Sequence, residues 1–274
     1  MKKVLLFVKD SQSAIETAKK IQKYLIDRKV STDIYINRRG VKPKINIKGR
    51  DLLLVVGGDG TFLAGARTVA KYQIPILGIN EGRFGFLTEV EKEYAFEVLD
   101  MVLKGQIKYQ KRVMISAYLK RDRTLRFLGD YLNDVVVSKS NIARMLELDV
   151  YAMGEFMMRV YGDGAIVSTP TGSTAYALSA GGPIIYPLSE NLLFVPICPH
   201  TLSNRPVILP SDFEIKLINL SPDGMAYLTM DGQEGMTLKK HDQIIIKKSK
   251  HYCLMYPNPK RSFFEILKEK LKWG

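Results

Sequence analysis

The stretch that most restricts the fold is Asp51-Leu-Leu-Leu-Val-Val-Gly-Gly-Asp-Gly-Thr61. Leu52 to Val56 is an apolar run of strand length. A helical pattern (Phe62, Leu63, Ala66, Val69, Ala70) begins directly after the glycines. Strand, tight turn and helix N-terminus are thus compressed into one piece. Without Cβ atoms, Gly57, Gly58 and Gly60 let a ligand approach the main chain. The amides that run on to Thr61 lie at the positive end of a helix dipole, which suits a phosphate. Gly57, Gly58 and Thr61 are therefore the candidate phosphate-binding residues. Asp59 is the odd member, because a carboxylate repels a phosphate unless it has a separate task. Two tasks are open to it: holding a metal ion that bridges phosphates, or taking a proton from an attacking hydroxyl. A plain glycine turn is the competing reading.

The flanking sequence predicts where such a piece belongs. Lys2 to Val8 reads as a strand. Ile15, Ala18, Ile21, Tyr24 and Leu25 give an amphipathic helix from Ser11 to about Arg28, and Val30 to Ile36 reads as a second strand. After the polar stretch Asn37–Arg50 and the glycine-turn unit, a helix runs through Tyr72 and Ile74 to Ile79 is a further strand. Alternating strands and helices predict a parallel sheet with ligands at the carboxyl ends of its strands. The Gly57 turn and the loop Gly78–Thr88 both lie at such ends and can face one crevice. Glu91 to Leu103 reads as a helix closed by Gly105. From Ile107 onward, short β-branched or aromatic runs separated by turn residues predict an all-β, sandwich-like second domain. The expected division is an α/β domain over 1–105 and a β-rich domain over 106–274. A helix at about 260–272 can pack back on the first domain.

Lys and Arg number 41 against 28 Asp and Glu, a formal charge of +13. The basic residues are scattered and form no long tail, so most read as solvated surface and a minority as attraction for a polyanionic small substrate. Neither a nucleic-acid nor a membrane partner is expected. Cys198 and Cys253 lie far apart, and only three histidines occur. No protein-held metal cluster is predicted, and a reducing, cytoplasmic compartment is. The run Val4–Val8 is too short for a signal sequence, and nothing approaches a membrane span.

The most specific segment lies in the β-rich half: Asp163-Gly-Ala-Ile-Val-Ser-Thr-Pro-Thr-Gly-Ser-Thr-Ala-Tyr176, continuing to Pro183. Ser168, Thr169, Thr171, Ser173 and Thr174 crowd around Pro170 and Gly172, and hydroxyls of this kind can bind ribose or phosphate oxygens. Thr174 to Ala180 can begin a helix whose amides face an anion, and Tyr176 offers an aromatic face or a phenol to a purine. Asn133-Asp134, before the strand Val135–Val137, and Asp231-Gly-Gln233 read first as turns. Pro196 to Pro206 is too rich in turn-formers for a buried strand, and His200 within it is a ligand contact or a structural histidine. No G-x-x-x-x-G-K-[ST] occurs, and the third glycine of G-x-G-x-x-G is missing after Gly60, which removes P-loop and hydride-transfer readings.

Taken together, Gly57–Thr61, Gly78–Thr88, Asn133-Asp134, Asp163–Pro183, Pro196–Pro206 and Asp231–Gln233 resemble the NAD kinases, in that family's order. The resemblance implies an α/β domain, a β-sandwich domain and NAD held between them. It also implies transfer of the terminal phosphoryl of ATP, or of polyphosphate, to the 2′-hydroxyl of the adenosine ribose, with a divalent ion such as Mg2+. By that likeness Asp59 acts on the 2′-hydroxyl with Gly60 beside it, and Asn133 and Asp134 hold the adenosine. Asp163 and Thr174, Ala175, Tyr176, Ala177, Leu178 and Ser179 line the dinucleotide site, with Arg144 and Gln233 as further contacts. A homodimer or homotetramer is implied too. Two departures stand out: Asp134 replaces the family's usual Glu, and Tyr161 stands where many bacterial relatives carry Arg. Gly-Gly-Asp-Gly is shared with lipid and sphingoid-base kinases, so such an enzyme, or a non-enzymatic dinucleotide- or nucleic-acid-binding regulator, is the alternative.

Overall fold

The apolar run near the N-terminus becomes β1 (Lys3–Lys9), whose interior residues are all buried. The structure is a computed structural model and describes residues 1–38, 40–41, 45–82, 85–140 and 145–273. In α1 (Gln12–Asp27), Ala14, Ala18, Ile21 and Leu25 are buried, the spacing of a single helix face. β2 (Ser31–Asn37), β3 (Leu52–Gly57), α2 (Asp59–Val69) and β4 (Ile76–Asn80) follow. Their strands pair in parallel in the order β4-β3-β1-β2. β3 is buried throughout, as parallel strands covered on both faces are, whereas β2 at the edge is half-exposed. The register sets Gly57 opposite Asn80. The glycine turn and the loop after β4 therefore leave the carboxyl ends of neighbouring strands.

The expected helix from Glu91 starts later. β5 (Val90–Glu91) pairs in parallel with Ile79 and Asn80, a 3₁₀ turn covers Lys92–Tyr94, and α3 (Ala95–Leu103) completes the segment. Sheet pairing of Val90, itself buried, overrides the local helical periodicity here.

The β-rich part comprises β6 (Gln110–Arg121), β7 (Thr124–Tyr131), β8 (Asp134–Lys139), β9 (Leu146–Ala152), β10 (Glu155–Gly162) and β11 (Gly164–Ser168). A 3₁₀ turn (Thr171–Thr174) and α4 (Tyr176–Ser179) separate these from β12 (Asn191–Ile197), β13 (Val207–Pro210), β14 (Ile215–Asn219), β15 (Ala226–Met230), β16 (Glu234–Leu238) and β17 (Gln243–Met255). One layer runs β13-β12-β11-β8-β15-β16, antiparallel throughout. The other contains β10-β9-β14-β17 and the β6–β7 pair. Val135, Val137, Ala165 and Val167 from the first layer share a core with Ile115, Leu148, Ile215 and Ile246 from the second. That is a β-sandwich. The alternate residues Val136, Ile166, Leu193 and Val195 face the other way and bury Ala177 and Ile185 of the hydroxyl-rich loop.

Two expectations are corrected here. Pro196 and Ile197 belong to a buried strand, not to a loop. Proline is tolerated because β13 pairs with β12 only as far as Phe194, so at Pro196 no ladder bond is needed on that side. The segment Thr174–Ala180 is not one helix. Ala175 at φ −98°, ψ −129° interrupts it and leaves a single turn, Tyr176–Ser179, too short to act as an anion-binding terminus.

The chain divides into two compact units: residues 1–111 with 253–274, and residues 112–252. The C-terminal α5 (Phe263–Leu271) lies in the first. It is started by a capping box in which Ser262 Oγ accepts from Glu265 N and Glu265 Oε2 accepts from Ser262 N. No described helix is long and apolar enough to cross a membrane.

Candidate active site

In the first unit Gly57 ends β3, Gly58 is the N-cap of α2 and Asp59 is its first residue. Only glycine fits at 57, since a Cβ would come within 2.8 Å of Thr61 Oγ1 and 3.0 Å of Lys9 Cβ. Thr61 is 8% exposed, so its hydroxyl is packed beneath the turn. Thr61 N and Phe62 N both bond to the Gly58 carbonyl, so the amides of Gly58 and Asp59 take no part in the helical ladder. Gly60 is exposed beside them.

The loop after β4 is built onto Asp59. Phe86 N donates to Asp59 Oδ2 at 2.8 Å. Leu87 N, Thr88 N and Thr88 Oγ1 donate to Oδ1 at 3.1, 3.0 and 3.1 Å. Asn80 Nδ2 donates in turn to Thr88 Oγ1 at 3.0 Å, which leaves the Thr88 hydrogen to point at Asp59. The two glycine segments are one structure held by one carboxylate. A carboxylate has about four acceptor positions. Three donors converge on Oδ1 and one on Oδ2, so Oδ2 is the atom with room for another. With the Phe86 N–H on Oδ2 and three further donors on Oδ1, the carboxylate suits an incoming hydroxyl better than a cation. Among the described residues, no three His, Cys, Asp or Glu side chains converge to hold a metal.

In the second unit three segments meet. Asn133 lies between β7 and β8 and Asp134 opens β8, with Asn133 half-buried and Asp134 only 4% exposed. Asp231-Gly-Gln233 is the hairpin turn between β15 and β16. Asp231 and Gly232 have φ of 50° and 61°, and Gln233 N bonds to Met230 O. The Asp231 carboxylate reaches across and accepts from Leu132 N (3.4 Å), Asn133 N (2.8 Å) and Asp134 N (3.4 Å). Burial, and then the charge of Asp231, push the Asp134 carboxyl up to about 7. Gly172 of the hydroxyl-rich loop presses on the same turn, where a Cβ would stand 2.6 Å from the carbonyl carbon of Asn133.

Most hydroxyls of that loop are engaged within the protein. Ser168 Oγ donates toward Asn133 O and Thr169 O, and Thr169 Oγ1 to Leu132 O. Ser173 Oγ donates to Pro170 O and accepts from Ile185 N, and Thr174 Oγ1 reaches Thr171 O at 3.4 Å. Thr171 Oγ1 is the exception, buried with no hydrogen-bond partner. The sequence pointed to the loop but gave no signal separating Thr171 from its neighbours. Ala175 and Leu178 are half-buried, Tyr176 and Ser179 exposed, and Ala177 is wholly buried in the small core under the loop. Asp163 pairs with Lys139 at 2.5 Å. Exposed Gln233 flanks the hairpin. His200 is placed beside Tyr161, their rings 6.3 Å apart. Arg144 lies outside the described residues.

With this geometry in hand, likeness to known proteins is informative. A family model described as "ATP-NAD kinase N-terminal domain" matches residues 8–107, and one described as "ATP-NAD kinase C-terminal domain" matches residues 132–257. An NAD kinase of Aquifex aeolicus is 56% identical over 274 residues, covering 100% of both chains. Among solved structures, yeast NADH kinase complexed with NADH aligns with a TM-score of 0.90 at 27% identity, over 100% of this chain and 88% of that one. An NAD kinase from Archaeoglobus fulgidus in complex with ATP aligns with a TM-score of 0.80 at 26% identity, over 99% of each. The chain belongs to the NAD kinase family.

Proposed function

We propose that the chain transfers the terminal phosphoryl group of ATP to the 2′-hydroxyl of the adenosine ribose of NAD, giving NADP. The observation that carries this reading is Asp59: a carboxylate clamped by Phe86, Leu87 and Thr88, with Oδ2 open, at the glycine-rich start of α2. Phosphoryl transfer asks the protein mainly for positioning and charge stabilisation. Asp59 Oδ2 accepts the hydrogen of the 2′-hydroxyl and orients its oxygen, and the Gly58 and Asp59 amides stabilise phosphate charge. Asn133 and Asp134 hold the adenosine. Asp163, Thr174 to Ser179, Arg144 and Gln233 contact the rest of the dinucleotide, and the orphan Thr171 hydroxyl joins them as a donor to the ligand. A divalent ion enters on ATP as part of the donor substrate, since the described side chains form no cage for it.

The accompanying picture is a cytoplasmic homodimer or homotetramer. Two free cysteines support the compartment, and the exposed Leu125, Phe127 and Phe156 on β7 and β10 support association. Incubating the pure protein with ATP, Mg2+ and either NAD or diacylglycerol tests the reading. NADP formation without lipid phosphorylation is expected. Phosphorylated lipid and no NADP would replace it with the lipid-kinase alternative.

A further inference from the structure

A one-way chain of hydrogen bonds reaches Asp59 from the main chain of Gly82. Gly82 N donates to Asn80 Oδ1 at 2.7 Å, Asn80 Nδ2 donates to Thr88 Oγ1 at 3.0 Å, and Thr88 Oγ1 donates to Asp59 Oδ1 at 3.1 Å. Asn80 and Thr88 are both buried. A main-chain N–H can only donate, so it fixes the Asn80 amide with its oxygen toward Gly82 and its NH₂ group toward Thr88. The Thr88 hydroxyl has a single hydrogen. With a donor facing it on one side, that hydrogen goes to the other, where Asp59 lies. The direction of the last bond is therefore set at the main chain. We propose that Asn80 is a positioning residue for Asp59, acting through Thr88, and that this relay holds Oδ1 so that Oδ2 stays turned to the incoming hydroxyl.

The local turn does not by itself require asparagine at position 80. Asn80 ends β4 opposite Gly57, and its bond to Gly82 N is an Asx turn, which aspartate makes equally well. What aspartate lacks is the NH₂ group that faces Thr88. With an acceptor in that place the Thr88 hydrogen turns back to residue 80, and a hydroxyl lone pair is left facing Asp59. Thr88 is likewise more than a main-chain donor. Its N–H and its hydroxyl both end on Oδ1, beside the Leu87 N–H. A carboxylate oxygen has two lone pairs, so three donors on it restrain rotation about the Cβ–Cγ bond. Without the hydroxyl two consecutive amides remain, and the carboxylate turns more freely.

The consequence for turnover rests on the reading that Asp59 Oδ2 accepts the hydrogen of the 2′-hydroxyl. Loss of the relay leaves the donors Phe86 N, Leu87 N and Thr88 N in place, so the carboxylate shifts without leaving its site. Misplacing a reacting group by about 1 Å costs on the order of 10²-fold, and the smaller shift here should cost about tenfold in kcat. The residues proposed to bind ATP and NAD are not displaced, so KM for each should stay within about twofold, the pattern of an interaction realised in the transition state.

Steady-state kinetics of the full-length protein with ATP, Mg2+ and NAD decide the matter. Thr88→Val and Asn80→Asp should each lower kcat about tenfold with KM nearly unchanged, and Thr88→Ser, which restores the hydroxyl, should recover most of that loss. Asn80→Asp added to Thr88→Val should cost less than about twofold more, because its effect travels through the hydroxyl. A further tenfold loss in the double variant would mean that the new charge acts directly, and would overturn the relay. Thr88→Val added to Asp59→Asn should also change kcat by less than about twofold, since no carboxylate is left to position. An undiminished tenfold loss there would show that the relay serves the fold alone. If Thr88→Val does not fold, Asn80→Asp at wild-type turnover still refutes the proposal. Normal turnover in Thr88→Val beside an impaired Asp59→Asn would refute the relay and leave Asp59 in the reaction. Near-normal turnover in Asp59→Asn would remove Asp59 from the reaction and the relay's role with it.

Discussion

Gly85 offers the sharpest test of how Asp59 is held. A Cβ added at Gly85 would stand 2.6 Å from Asp59 Cγ and 2.8 Å from Oδ2, and closer still to Oδ1. Non-bonded carbons pack at about 3.5–4.0 Å, so roughly 1 Å of overlap must be relieved. Neither partner can move alone. The donors to Asp59 are the next residues along, Phe86, Leu87 and Thr88, so displacing Gly85 drags them away, and rotating Asp59 breaks the same bonds. Hydrogen bonds to a charged group contribute about 1.5–3 kcal/mol each. Losing two, with some recovery from water at the half-buried carboxylate, gives an expected destabilisation of about 3 kcal/mol for Gly85→Ala in urea denaturation. Turnover should fall on the order of 10²-fold, the cost of misplacing a reacting group by about 1 Å. Gly82→Ala in the same loop meets nothing within 4 Å and should stay within about 0.5 kcal/mol of wild type. Combining Gly85→Ala with Asp59→Ala removes the object of the collision, so the two should be non-additive by about 2 kcal/mol. Additivity within about 0.5 kcal/mol, or a Gly85→Ala protein of wild-type stability, would refute the clamp.

Three further outcomes follow from the same geometry. Asp59→Asn should lower kcat by about 10²–10⁴-fold, and steady-state kinetics showing near-normal turnover would remove the carboxylate from the reaction. Thr171→Val deletes a buried hydroxyl that has no partner, so stability should hold or rise by about 1 kcal/mol while KM for NAD rises about tenfold. A fall in stability with KM unchanged would show that the hydroxyl serves the fold instead. Asp134 is raised from 3.8 to about 7 in the folded protein, so its stabilising contribution is complete below pH 3.8 and is lost as pH climbs through 7. At 1.36 kcal/mol per unit, wild type should lose on the order of 2–3 kcal/mol relative to Asp134→Asn between about pH 5 and pH 8. Parallel denaturation curves at the two pH values would contradict it.

Periodicity carried the parallel half of the fold. Leu52–Val56 is apolar without interruption because β3 is covered on both faces, and the spacing of Ala14, Ala18, Ile21 and Leu25 writes the buried face of α1 directly. It failed where tertiary pairing outvoted local pattern. Glu91 joins a two-residue strand against β4, and Pro196 enters a buried strand because its partner on one side has already ended. The short strands β13 and β16 are too brief and too exposed to announce themselves among turn residues, and β15, though buried at alternate positions, is only five residues long.

The site divides along a different line. Residue types at fixed spacing drew attention to Asp59 and the hydroxyl-rich loop, because glycine and proline fix a backbone whatever surrounds it, whereas Asn133-Asp134 reads first as a turn and stands out only through the family resemblance. What each polar atom does was not legible, since that depends on partners remote in sequence. Asp59 and Thr88 lie 29 positions apart, and Asp231 holds Asn133 from 98 positions away. The hydroxyl-rich segment shows the difference most clearly. Its serines and threonines look equivalent as letters, yet Ser168, Thr169 and Ser173 bond to carbonyls that shape the loop, and only at Thr171 is a buried hydroxyl left without a partner. A buried polar atom left unsatisfied costs about 1–3 kcal/mol. Thr171→Val, read as KM for NAD against stability, decides whether a ligand or the fold completes that hydroxyl.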